Sequence, residues 1–266
     1  LPALAQSNDF GPLLTPQEVS ALDIKNGPLI IDIRAPADDG KSAYVEGHLP
    51  GAVNAPYGLF RGPKENPGEL VPEDKLEEVL RSLGVTPERP TLIVHQGSDV
   101  TDFGAAARVY WTLKSSGVSQ LAILNGGING WTEAGMKLDK GTVAPKPSEI
   151  EVSFSDEWLA TREEVLAIVN GETDATLVDA RPESFWAGDQ AHPAAARPGT
   201  LPQSEYLTHS SWFGDDPVIV DAEKARALAA ENELKSGAPI ISFCNTGHWA
   251  ATNWFAMSEL AGLENV

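Results

Sequence analysis

A single cysteine, Cys244, stands in a chain of 266 residues, which excludes an internal disulfide and leaves the fold to rest on its core alone. Basic residues are scarce as well. Against 38 Asp and Glu there are 19 Lys and Arg, and a net charge of −19 repels nucleic acid and anionic lipid, so neither partner is expected. The five histidines (His48, His95, His192, His209 and His248) show no ligand spacing, and one cysteine adds little to them, so no metal site is expected. No run of 18 apolar residues is present, which excludes a membrane-spanning helix. What is there is 42% hydrophobic, enough for one large or two ordinary domains with real cores. The acidity has a corollary: an anionic substrate has to be drawn in by a local positive field.

The chain contains itself twice. "LIIDIR" (29–34) matches "LVDAR" (177–181), pairing Asp32 and Arg34 with Asp179 and Arg181. "GHLPGAVNAPY" (47–57) corresponds to "GTLPQSEYL" (199–207), and "TLIVHQGSD" (91–99) to "PIISFCNTG" (239–247). Each last pair opens as a strand buried on both faces and runs into a turn, then into the helical stretches "AAARVYWTLKSSG" and "AATNWFAMSELAG". Capping boxes open two more helices, at Thr15 with Glu18 and at Thr161 with Glu164. Residues 72–84 and 221–234 are helical in pattern too. Strands alternating with helices predict an α/β fold with parallel sheets. The expected organisation is a tail over 1–10, a domain over 11–140, a proline-bearing linker over 141–149 and a second domain over 150–266. Gln96 is read in the place of Cys244, so only the second copy carries a thiol. That copy reaches Val266 where its last strand is due to begin.

Cys244 follows a strand and precedes a helix. That places it at the carboxyl edge of a parallel sheet, where ligands bind and where free N–H groups and the helix dipole favour an anion. Gly247 lets the loop bend so that several backbone donors converge. A lone cysteine is often an inert small hydrophobe; this one sits beside Asn-Thr-Gly-His in a turn rather than inside the apolar strand, which favours a reactive role.

The ordered set "IDIR", "GHLPGAVN", "GGINGW", "VDAR" and "CNTGHWA" resembles the tandem-domain rhodanese family, from about residue 12 to the end of the chain. The resemblance implies two rhodanese-like domains, each a five-stranded parallel sheet flanked by helices, with the second apparently lacking its last strand. It implies an inert first copy and sulfane-sulfur transfer by the second, from thiosulfate or 3-mercaptopyruvate to cyanide or a thiol. Cys244 becomes the nucleophile that carries a persulfide, with no other cofactor. The backbone amides of Asn245, Thr246, Gly247, His248 and Trp249 become its cradle. Asp179 becomes a structural support, and Arg181 a brace that is also a substrate-binding candidate. The departures concern charge. The loop has Asn245 and Thr246 where thiosulfate-preferring members usually put a cation, Ser184 or Phe185 replaces a substrate-binding arginine, and Gln203 alters the Gly-x-x-Pro-Gly turn. His248 and Arg197 are the candidate substitutes.

Other arrangements carry less. A phosphatase of this fold needs an arginine six residues after the cysteine, and Ala250 stands there. Asp38-Asp39 and Asp215-Asp216 read as solvated turns, residues 62–68 as a loop able to cover the site, and Trp249 as a candidate cleft wall. Ala3-Leu4-Ala5 has the small-x-small form of a signal-peptidase site, so export to a periplasm is expected. A monomer is expected, acting on a small-molecule donor and acceptor. A non-catalytic persulfide carrier or anion-binding protein is the alternative that a loop without Lys or Arg leaves open.

Overall fold

The computed structural model describes residues 10–24 and 26–266, so Ala3, Leu4 and Ala5 lie outside the described residues. The first copy runs β1 (Leu13–Leu14), α1 (Pro16–Ser20), β2 (Leu29–Asp32), α2 (Ala43–Glu46), β3 (Val53–Asn54), α3 (Glu73–Leu83), β4 (Thr91–Val94), α4 (Phe103–Ser115), β5 (Leu121–Leu124) and α5 (Gly127–Glu133). Its five strands are all parallel, in the order β1-β5-β4-β2-β3. The second copy runs α6 (Arg162–Val169), β6 (Thr176–Asp179), α7 (Glu183–Trp186), β7 (Glu205–Tyr206), α8 (Ala222–Glu231), β8 (Ile240–Phe243) and α9 (Trp249–Trp254), which continues as a π-turn over Phe255–Leu260. Both predicted capping boxes form, Thr15 with Glu18 and Thr161 with Glu164.

Period-2 alternation builds the first sheet. Ile31, Ile93 and Ile123 face one side, and Ile30, Leu92, Ala122 and Leu124 face the other, where Val19, Ile128 and Trp131 cover them. The side of Ile31 and Ile93 belongs to one continuous core that also takes in Val178, Trp212, Phe255 and Leu260 of the second copy. The two domains therefore share a core, and α4 packs on α9 at its centre. Phe103 and Tyr110 meet Phe255 edge to face at centroid distances of 5.5 and 5.1 Å. Glu259 closes the seam, taking the Tyr110 hydroxyl at 2.9 Å and the Lys114 ammonium at 2.7 Å. Residues 141–161 contain no helix or strand. Part of that stretch runs along α3, where the Glu77 and Glu73 carboxylates accept the amides of Val152 and Phe154 at 2.9 Å each.

The second sheet holds three of the five expected strands, in the parallel order β7-β6-β8. The Asn265 carbonyl accepts the Ile240 amide at 2.9 Å, as that of Gln120 accepts the Thr91 amide at 3.0 Å in the first copy. A groove of about 680 Å³ follows this outer edge of β8.

The register corrects one expectation. Asp32 pairs with Val94, and Asp179 with Phe243. The residue opposite Cys244 in the repeat is therefore His95, and Gln96 corresponds to Asn245. Side chains agree: Arg34 reaches the Gln96 amide oxygen at 3.3 Å, and Arg181 reaches that of Asn245 at 3.4 Å. Matching Thr91 to Pro239 slips the pairing by one residue, whereas the ladders place Thr91 on Ile240.

Because Phe255 is fully buried where both domains meet, Phe255→Ala is expected to cost about 3–5 kcal/mol of unfolding free energy in a urea titration. Leu166→Ala, at a position 54% exposed on α6, is expected to change it by no more than about 0.5 kcal/mol.

Candidate active site

Cys244 leaves the carboxyl end of β8 half-buried, and its sulfur accepts the amide of Gly247 at 3.1 Å and that of Ala250 at 3.4 Å. Two backbone dipoles thus converge on one sulfur, an arrangement that favours negative charge there. Gly247 makes the bend at φ +69°, and any side chain in its place would run into the Arg108 guanidinium. Of the five predicted cradle amides, that of Gly247 reaches the sulfur; the Ala250 amide, outside the predicted set, joins it.

Asp179 and Arg181 form a buried fork at the end of β6, with Nη2 to carboxylate at 2.7 Å. Arg181 also donates to the Gly199 carbonyl at 2.8 Å and to Asn245. The fork anchors the cysteine loop to the turn after α7, and Asp32 with Arg34 repeats it in the first copy, down to the bond from Arg34 to the Gly47 carbonyl. Arg197 is exposed and makes no hydrogen bond or ion pair, so nothing draws it to the loop. Trp249 is a wall: the His209 ring stacks on it at 5.0 Å, and Phe185 meets it edge-on at 5.8 Å. Among the described residues, no three His, Cys, Asp or Glu side chains converge as metal ligands, and no helix is long and apolar enough to cross a membrane.

His248 sits between the domains. Its Nε2–H donates to the Thr101 carbonyl at 2.6 Å, which leaves Nδ1 to accept the Tyr57 hydroxyl at 3.0 Å. Burial holds this imidazole below its ordinary value, with the Thr101 hydrogen bond opposing and the Arg61 charge adding to the effect. Burial also pushes the Tyr57 phenol up to about 12, so the pair is neutral at pH 7. His248 is therefore a bridge rather than the missing cation.

Two cations come instead from the first domain, and both escaped the sequence reading. Arg61 donates to the Thr246 carbonyl at 2.7 Å. Arg108 on α4 donates to the Gly247 carbonyl at 3.2 Å, to that of Thr246 at 3.4 Å and to that of Gly68 at 3.2 Å. Gly68 itself lies against the Thr246 backbone, so the 62–68 loop does abut the site. Arg108 is 5% exposed. Desolvation, aided by Arg61, brings its guanidinium down to about 10, while Tyr57 and Cys244 pull the other way; it remains charged at neutral pH. Neither arginine has an acidic partner among the described residues' ion pairs, and Arg61 Nη1 and Arg108 Nε have no hydrogen-bond partner. One signal was available in the sequence: Arg108 interrupts "AAARVYW", where the helical pattern wants a core residue.

The equivalent loop of the first copy is closed by its own side chain. The Asp102 carboxylate accepts the amides of Gly97 at 2.7 Å and Ser98 at 3.4 Å, filling the place of an anion. His95, in the position of the thiol, is 1% exposed, with its ring edge-on to Phe103.

A family model described as a rhodanese-like domain matches residues 15–134. A Mycobacterium tuberculosis protein named "Putative thiosulfate sulfurtransferase SseB" is 27% identical over 248 residues, covering 90% of this chain and 85% of its own length. A Haloferax volcanii relative with the same enzyme name is 29% identical over 239 residues, covering 86% and 80%. Among solved structures, the Escherichia coli 3-mercaptopyruvate sulfotransferase SseA has a TM-score of 0.79 over 96% of both chains at 23% identity. The anaerobic ergothioneine biosynthesis enzyme of Chlorobium limicola, in complex with trimethyl histidine, has a TM-score of 0.82 at 18% identity, over 97% of this chain and 66% of its own. At those identities the structural likeness establishes the fold.

His95, His209 and His248 are all held below the ordinary value of 6.5 by burial. As pH falls through 6.5, the unfolded chain takes up protons before the folded one does, so their contribution to stability is present above that pH and lost below it. Denaturant titrations at pH 7.5 and 5.5 are expected to show this loss. The loss should be smaller in His248→Asn, which no longer has the bridging imidazole to protonate.

Proposed function

We propose that the chain, whose residues 15–134 match a rhodanese-like domain model, is a sulfurtransferase that carries sulfane sulfur on Cys244 as a persulfide. The observation that carries the reading is the sulfur itself, which takes two backbone amides beside two arginines with no acidic partner. The names of the relatives support thiosulfate as a donor, and that of the SseA structure supports 3-mercaptopyruvate.

In the first half-reaction the Cys244 thiolate attacks the outer sulfur of thiosulfate. A new S–S bond forms, the donor's S–S bond breaks, and sulfite departs with the bonding electron pair. With 3-mercaptopyruvate the bond that breaks is C–S, and the carbon fragment leaves as the enolate of pyruvate, which takes up a proton. In the second half-reaction cyanide or a thiolate attacks the outer persulfide sulfur, and the electron pair returns to Cys244. There is no net redox change and no cofactor is needed, since the transferred atom rides on the cysteine. The Gly247 and Ala250 amides hold the charge that moves between Sγ and the outer sulfur, and the Trp249 wall with its His209 and Phe185 neighbours keeps water from that side.

A persulfide carrier with little turnover is the second reading, favoured by Asn245 and Thr246 standing where a cationic side chain would speed donor capture. Cyanolysis with thiosulfate and with 3-mercaptopyruvate separates the two. An enzyme is expected to release thiocyanate over many turnovers and to lose about three orders of magnitude or more in Cys244→Ser. A carrier releases one equivalent and stops. Mass spectrometry after donor treatment is expected to find one added sulfur on Cys244, and its absence in folded protein would overturn both readings.

A further inference from the structure

The cysteine loop has no Lys or Arg of its own, and the chain around it carries a net charge of −19. A thiol that must meet an anionic donor in such a protein needs positive potential from elsewhere. We infer that Arg61 and Arg108 of the first domain are positioning residues for the sulfur-transfer reaction, setting the positive potential at Cys244 through the peptide between Thr246 and Gly247. This rests on Cys244 being the reacting atom, as proposed above.

The geometry of that peptide carries the inference. In a trans peptide the C=O and N–H point in opposite directions. The Thr246 carbonyl receives both guanidinium groups, from Arg61 at 2.7 Å and Arg108 at 3.4 Å. The N–H of the same peptide, on Gly247, points at the Cys244 sulfur at 3.1 Å. A charged donor on the carbonyl polarises the unit and strengthens the N–H as a donor. The two cations thus lie behind the amide, in line with the sulfur, and add their own field to it.

The second observation is the missing counter-charge. Among the described residues neither arginine forms an ion pair, and each keeps one buried nitrogen with no hydrogen-bond partner. Arg61 lies over the Tyr57 ring and Arg108 over that of Trp111, and the charges acting on Arg108 are those of Arg61, Tyr57 and Cys244. Burying one guanidinium without a carboxylate is costly, and burying two side by side more so. Of the groups around them, Cys244 is the one that bears a negative charge during turnover, first as thiolate and then as persulfide. The cost of the buried pair is offset when the site is anionic, so the first domain supplies the cationic half of a site whose nucleophile belongs to the second.

Competing alkylation tests this without any turnover. The same thiolate attacks the methylene carbon of iodoacetate and of iodoacetamide and displaces iodide, so the ratio of the two rates cancels exposure and thiolate fraction and reports the local potential. Arg61→Met and Arg61→Gln, the latter still able to donate to Thr246, are each expected to lower the iodoacetate-to-iodoacetamide ratio by about tenfold at fixed pH and salt. Arg61→Lys is expected to keep it within about twofold of the parent. Rates that fall or rise together in the Met and Gln variants, with the ratio unchanged, would overturn the inference. Should the Met variant fail to fold, the Gln and Lys pair carries the same comparison. A chain without cyanolysis activity whose ratio still collapses in the Gln variant would sink the sulfurtransferase reading and leave standing only that the two arginines set the positive potential at Cys244.

Discussion

The packing of α4 on α9 is the constraint from which the site follows. The helix that begins five residues after Cys244 buries Phe255 against Phe103 and Tyr110, and Glu259 pins its far end to Tyr110 and Lys114. That contact fixes where the start of α9 sits, and so where the amides of Gly247 and Ala250 point. Another face of α4 carries Arg108 to the carbonyl side of the loop. A shift of either helix by one turn would separate the guanidinium from the carbonyl it holds, and a close-packed interface resists such a slide because side chains on both faces interdigitate. The shared core therefore does more than add stability: it sets the register of a site assembled from two domains.

The two copies show what duplication left alone and what it changed. The Asp-Arg fork is the same in both, each arginine holding its aspartate, a turn carbonyl and an amide side chain of the loop. The loops differ in what fills them. In one, Asp102 turns inward and its carboxylate takes the amides. In the other, the amides close on the Cys244 sulfur. A carboxylate tethered in place competes with any incoming anion at an effective concentration no free ligand reaches, so the amides of the first loop are already taken.

Strand patterns, both capping boxes and the Asp-x-Arg pairs were readable because they are local: alternation, a Thr-x-x-Glu, a short-range ion pair. That Cys244 stands in a turn after a strand, with backbone amides on its sulfur, was readable because the repeat isolated it. The counterpart of Cys244 was misread as Gln96 because a short run of β-branched residues matches its repeat almost as well one residue out of step, and only the sheet register fixes the pairing. Arg61 and Arg108 were missed for a different reason. They meet the loop across separations of 185 and 139 residues, and such contacts depend on how two domains dock, which leaves no mark on local sequence. Arg197 was chosen for its charge and its place after α7, and it lies exposed with no bond to hold it at the loop. Cations were looked for in the second copy, and the ones that touch the loop come from the first.

Tyr57, whose hydroxyl meets His248, belongs to the copy without a cysteine. With Arg61 and Arg108 it makes the half that lacks the thiol part of the thiol's surroundings. The two repeats are therefore not interchangeable, since each supplies contacts that the other lacks. A substitution in one is felt in the packing of the other, so the pair is bound to drift together, as a single heritable unit.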